Sequence, residues 1–163
     1  MGESMPGIVE ALTERIARAF DGVPRGTGVT WHEAEELDCY GTPEELAAAR
    51  LVDTDQRWQE VREEWIETYS CAAYFLDPLG FRYYLPAIMI WSLRHGEQSR
   101  SATPDNILAL LSRQDRQQWC EERLTAEQRS AVAAFVDHML KYYWAMEDEQ
   151  CRSLRAYWGR FLQ

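Results

Sequence analysis

Three Thr-x-x-Glu/Gln boxes, Thr30 with Glu33, Thr42 with Glu45 and Thr125 with Gln128, constrain this chain more than any other feature. In such a box the hydroxyl accepts from a backbone amide of the first turn, and the carboxylate or amide reaches back to the capping residue. Orphan donors at a helix start are thereby satisfied twice. Each box is followed by residues that can continue a helix, and Gly41 is placed to end the one opened by Thr30. Elsewhere Ile8, Leu12, Ile16 and Phe20 step by four between Pro6 and Gly22 and predict a first helix with one apolar stripe. Trp58, Val61, Trp65, Tyr69 and Ala72 recur at three and four, predicting one central amphipathic helix from Asp55 to about Ala73.

Downstream, Asp77 is the expected N-cap and Pro78 the first residue of the next helix. Pro86 is expected to divide that helix into two pieces joined at Leu85, the second ending near His95-Gly96. Gly96 to Ala102 is polar and is expected as a loop, with Thr103-Pro104 capping a short helix through Leu111. After Thr125, the residues Val132, Phe135, Val136, Met139, Leu140 and Tyr143 share one face of a long helix. A last helix carries Glu147, Asp148 and Glu149 in its first turn and buries Cys151, Leu154, Trp158 and Phe161. Period-two alternation between hairpin turns is absent. The expected fold class is therefore all-α, a single compact irregular bundle of roughly seven to nine helices over residues 1–163, with its core over about 8–162. With 46% hydrophobic residues, seven Trp, eight Tyr and five Phe, the chain can bury enough apolar surface to offset the entropy of ordering.

The order Ala19-Phe20, Asp55 with Trp58 and Val61, FLDPLGFRYYLPA from Phe75, LTAEQRSAVAAFVDHM and SLRAYW resembles an uncharacterised bacterial domain family of unknown function. That family is marked by a segment of the form FLsPegfryYLPAymi. Leu79 stands where the segment has an acidic or polar residue. The resemblance spans roughly residues 8 to 160, and it implies one domain without implying an activity.

Charge supplies the functional expectation. Residues 31–67 hold twelve carboxylates against Arg50, Arg57 and Arg62, so they account for nine of the ten net negative charges. On the helix expected there, Glu60 with Glu64 and Glu63 with Glu67 are like-charged pairs at four-residue spacing, which a basic partner surface would relieve. The expected function is a small cytoplasmic interaction domain, adaptor or antitoxin-like, presenting Glu60, Glu63, Glu64 and Glu67 to a basic protein. The alternative is an enzyme or small-ligand-binding protein with a pocket near Arg82, Tyr83 and Tyr84, in which Asp77 and Arg82 serve ligand or structure. For Arg82, set among aromatic residues, the structural expectation is burial against Asp77 or a glutamate.

Other classes find little support. His32-Glu33-Ala34-Glu35-Glu36 lacks the second histidine of a zinc-protease helix, and no histidine has Glu three residues before it, so neither metal nor cofactor is expected. Nucleophile elbows and phosphate loops are absent, and catalysis has no residues to rest on. Outside the acidic quarter fifteen acids balance fourteen bases, which disfavours nucleic acid. The longest apolar run, Tyr83 to Leu93, is too short for a bilayer. The start, MGESMPGIVEALTER, has no basic segment leading an apolar one, and Cys39, Cys71, Cys120 and Cys151 are expected as reduced thiols.

Overall fold

The computed structural model describes residues 5–144 and 147–163, and among these there are nine α-helices and no strand. The helices are α1 (Met5–Ala19), α2 (Trp31–Asp38), α3 (Pro43–Val52), α4 (Glu63–Thr68), α5 (Pro78–His95), α6 (Thr103–Ser112), α7 (Gln114–Arg123), α8 (Ala126–Tyr142) and α9 (Glu149–Trp158). All three capping boxes form as read: Thr30, Thr42 and Thr125 each accept from the amide three residues on, which belongs to the Glu or Gln that bonds back to the cap. Asp77 and Asp148 cap α5 and α9 in the same way, through a carboxylate oxygen.

α5 is the axis of the molecule. It buries twelve of its eighteen residues around its whole circumference, as a helix enclosed by others must. α1, α4, α6 and α7 pack against it, while α8 joins α1 on one side and α9 on the other. The apolar side chains form one contiguous core, from Ile16 and Phe20 through Tyr84 and Ile88 to Phe135 and Trp158. No helix among the described residues is long and apolar enough to cross a membrane.

Four local expectations need correction. α5 runs unbroken through Pro86 instead of dividing at Leu85. A mid-helix proline costs about 3 kcal/mol, whereas each large apolar side chain buried on this helix contributes on the order of 1.5 to 3 kcal/mol, so packing outweighs the lost bond. The single helix expected from Asp55 to Ala73 is instead a 3-10 turn at Trp58–Glu60, the short α4, and a second 3-10 turn at Ala72–Phe75. Side chains hold this broken path in place: Trp58 Nε1 donates to the Phe20 carbonyl at 2.9 Å, and the Glu60 carboxylate accepts from the Gln56 amide at 2.7 Å. Thr103 does not cap α6, because its hydroxyl donates across to the Ile66 carbonyl at 2.7 Å and so ties α6 to α4. Finally, α7 has no counterpart in the sequence reading. Its inner face is not an apolar stripe but the buried Arg116, Gln117 and Cys120.

Candidate functional site

Of the four glutamates expected to form one face, the structure brings three together. Glu63, Glu64 and Glu67 lie on α4 and line an open cleft of about 370 Å3, whose opposite wall comes from Trp91 and His95 of α5 and from Gln98 and Ser99 beyond it. Glu60 is not among them. It sits in the preceding 3-10 turn, where its carboxylate accepts from the amides of Gln56 and Arg57 and pairs with the Arg57 guanidinium at 3.5 Å. Those bonds hold its carboxyl below the usual range, the Gln56 amide foremost. The four-residue repulsion between Glu60 and Glu64 expected of a single helix therefore does not arise, whereas Glu63 and Glu67 remain one turn apart.

Each of the three carboxylates has one partner, two of them on the opposite wall of the cleft. Glu63 meets His95 Nε2 at 3.2 Å, Glu64 meets Arg62 at 3.5 Å, and Glu67 accepts from the Ser99 hydroxyl at 2.8 Å. The Glu63 and Glu64 side chains stay 58% and 66% exposed, so their charge is available to a molecule arriving from solvent.

Most of the apolar residues of FLDPLGFRYYLPA serve the interior, with Phe75 exposed. Asp77 Oδ1 accepts from the Gly80 amide and also from the Val29 amide, both within 2.9 Å, and thereby pins the loop before α2 against the start of α5. Gly80 allows that approach, since a Cβ there would lie 2.5 Å from the Val29 carbonyl oxygen. Arg82, expected to be buried against Asp77 or a glutamate, is only half-buried and makes no ion pair among the described residues. Asp77 instead spends its Oδ1 on the two amides of Gly80 and Val29.

Two other arginines take the roles expected of Arg82. Arg116 lies 3.9 Å over the Trp119 ring, pairs with Asp115 at 2.7 Å and donates to the Tyr74 carbonyl at 3.0 Å. Arg25 pairs with Asp55 Oδ2 at 2.7 Å and donates to Tyr84 Oη at 3.2 Å. The same Asp55 oxygen receives the Tyr83 hydroxyl at 2.6 Å, and Tyr84 Oη accepts from the Trp31 amide at 3.1 Å. Burial first, then the Asp55 carboxylate, push both phenols well above their ordinary value, so both stay protonated. Burial works against the Arg25 charge, but Tyr84 and Asp55 outweigh it and raise the guanidinium further. This network joins the segment after α1, the start of α2, the loop after α3 and α5, and it leaves Asp55 Oδ1 and Arg25 Nε buried without a hydrogen-bond partner.

Beside it, Asp53 accepts from the His32 amide at 2.8 Å and pairs with His32 Nδ1 at 2.7 Å, while the ring edges of Trp65 and Tyr69 flank the imidazole. A carboxylate holding one imidazole nitrogen orients the other. Among the described residues, however, no hydroxyl or thiol bonds to that histidine, and no group of three or more His, Cys, Asp or Glu side chains is placed to hold a metal ion. Sequence reasoning counted Asp53 and Asp55 as surface charge and passed over Arg25 altogether. The only local trace was the short, non-helical Asp53-Thr54-Asp55 spacing.

A model of a family of unknown function, DUF6714, matches residues 9–161 of this chain. No curated protein matches it. No solved structure matches it either.

Proposed function

The chain belongs to this family of unknown function, and we propose that it works as a small protein-interaction domain of the bacterial cytoplasm, adaptor or antitoxin-like, whose partner is a basic protein. The observation that carries this reading is the cleft of Glu63, Glu64 and Glu67 with its exposed and weakly partnered carboxylates. The interior polar groups support it by contrast. Asp53 and Asp55 are enclosed and already paired, so the charge that remains for an outside molecule is gathered in places such as this cleft. An acidic surface of this kind steers a basic partner and fixes its register more than it adds raw affinity.

The experiment is capture from the source cell by the wild-type chain and by Glu64→Lys/Glu67→Lys, at low and at high salt. A basic protein held by the wild type at low salt, released at high salt and lost by the variant is the expected result. Retention by the variant, or an empty wild-type capture at both salts, refutes the reading.

A further inference from the structure

α3 shows to solvent the kind of residues that a helix ordinarily buries. Glu44, Ala47, Ala48 and Leu51 share one of its faces at steps of three and four, and all four are exposed. Leu51 is 79% exposed and Val52 beside it 48%, and Leu37 and Tyr40 at the end of α2 are exposed as well. Half of the large hydrophobic side chains left exposed among the described residues thus belong to α2, α3 and the turn between them, a concentration that marks an interaction surface. Arg50, near the end of α3, donates to Glu33 in the first turn of α2 and to the Gly28 carbonyl before it, so the end of α3 lies beside the start of α2. The surface is therefore graded. Leu51 and Val52 form one end, Ala47 and Ala48 the middle, and Glu36, Asp38 and Glu44 gather with Tyr40 at the turn.

The carboxylates of this surface are unanswered. Arg50 is the one Lys or Arg that α2 and α3 contain, and Glu33 and the Gly28 carbonyl already hold it. Glu35, Glu36, Asp38 and Glu44 make no ion pair among the described residues. Burial first, then Asp38 and Glu36, raise the Glu35 carboxyl above its ordinary range, with His32 alone opposing them. We infer that the α2–α3 surface docks a partner segment carrying apolar side chains beside lysine or arginine, the apolar part on Ala47, Ala48, Leu51 and Val52 and the cations at Glu36, Asp38 and Glu44. The inference rests on the basic partner proposed above only for the protein that carries the segment, and it gives that protein a second contact besides the cleft. A second copy of this chain brings no free cation on this face, and an anionic lipid surface is repelled by the same carboxylates.

The test titrates the full chain with a peptide of leucine and lysine at the helical period, about fourteen residues long, and with two controls, glutamate for lysine and serine for leucine. Binding is read from the methyl resonances of Leu51 and Val52, assigned with Leu51→Met and Val52→Ala. The leucine-lysine peptide is expected to move both and to bind about tenfold more tightly than either control. Tyr40→Gly removes an exposed ring where the left-handed backbone suits glycine, and Leu51→Ser removes an exposed side chain, so neither loosens the fold. Each weakens the peptide by about fivefold. Glu36→Gln/Asp38→Asn/Glu44→Gln removes the preference for lysine over glutamate. Resonances that stay still, or that move as far with the glutamate peptide, overturn the inference. A dimer in sedimentation equilibrium that Leu51→Ser dissolves overturns it in favour of a second copy, and co-sedimentation with anionic phosphatidylglycerol vesicles in favour of a membrane. The two readings fail separately. A salt-released basic partner that Tyr40→Gly and Leu51→Ser still capture, with no peptide seated, removes the docking surface and leaves the partner. Peptide seating that needs Tyr40 and Leu51, without any salt-released partner, does the reverse.

Discussion

Tyr40 holds a φ of +59° just past the end of α2, a conformation that costs an ordinary residue about 1 to 2 kcal/mol. The reason lies in the hydrogen bonds that close the helix. The Tyr40 amide donates to the Leu37 carbonyl at 3.2 Å and the Gly41 amide to the Glu36 carbonyl at 2.8 Å, so the residue between helix and glycine must turn left-handed. Gly41, read from sequence as the terminator, is one position too late. Since the Tyr40 side chain is 95% exposed, Tyr40→Gly loses no packing and should raise stability by about 0.5 to 1 kcal/mol, a rise of a few degrees in Tm by calorimetry. Arg25 and Arg82 give the complementary contrast. Arg25→Met would strand Asp55, whose side chain is 4% exposed, and should cost on the order of 3 to 5 kcal/mol. Arg82→Met has no ion pair to break and should cost less than about 1 kcal/mol. Urea denaturation of both variants decides, and equal midpoints would contradict the assignment of the buried pair to Arg25.

Among the nine described α-helices, α3 stands apart because none of its residues is buried. Its anchorage is largely polar: Arg50 donates to Glu33 at 2.8 Å and to the Gly28 carbonyl at 3.0 Å, and the Thr42 box closes its start. Local opening follows buried contact, so the α3 amides should exchange with deuterium fastest of the nine described helices, and faster still in Arg50→Ala. Protection in α3 equal to that in α5 would refute this. The same elements show what was legible in the sequence and what was not. Where the start of a helix is written in a hydroxyl and a carboxylate three residues apart, as at Thr30, Thr42 and Thr125, the reading and the structure agree, because the information is local. α7 was unreadable since it buries an arginine by stacking it on Trp119, and the partners that make this tolerable, Phe81 and the Tyr74 carbonyl, are remote in sequence. The spacing of Trp58, Val61, Trp65, Tyr69 and Ala72 misled for a related reason. Short turns in succession can set apolar residues inward at steps of three and four without one continuous helix. The acidic cleft was visible as charge, but its other wall arrives from α5.

On the scale of the whole molecule, the bundle carries ten net negative charges, and one interior group makes its stability depend on pH. His138 of α8 is 8% exposed, and its Nδ1 is buried without a hydrogen-bond partner. Burial lowers its pKa below the ordinary 6.5. Asp137 and Glu97 pull the other way, Lys141 adds to the lowering, and the Tyr142 ring packs at 4.9 Å. A histidine with a depressed folded pKa binds fewer protons folded than unfolded once the pH drops to its unfolded value. Stability is therefore complete above about pH 6.5 and is lost as the pH falls below it, until the folded form takes up the proton too. His138→Leu keeps the volume, leaves no polar atom unmet and removes the titration. Unfolding free energies of the two proteins, measured by urea at steps from pH 8 to pH 5, should differ by a constant above pH 7. Below about pH 6.5 the curves should move apart in the variant's favour. Parallel curves over that range would mean that His138 accepts its proton as readily in the bundle as in water, and the burial reading of α8 would fall with it.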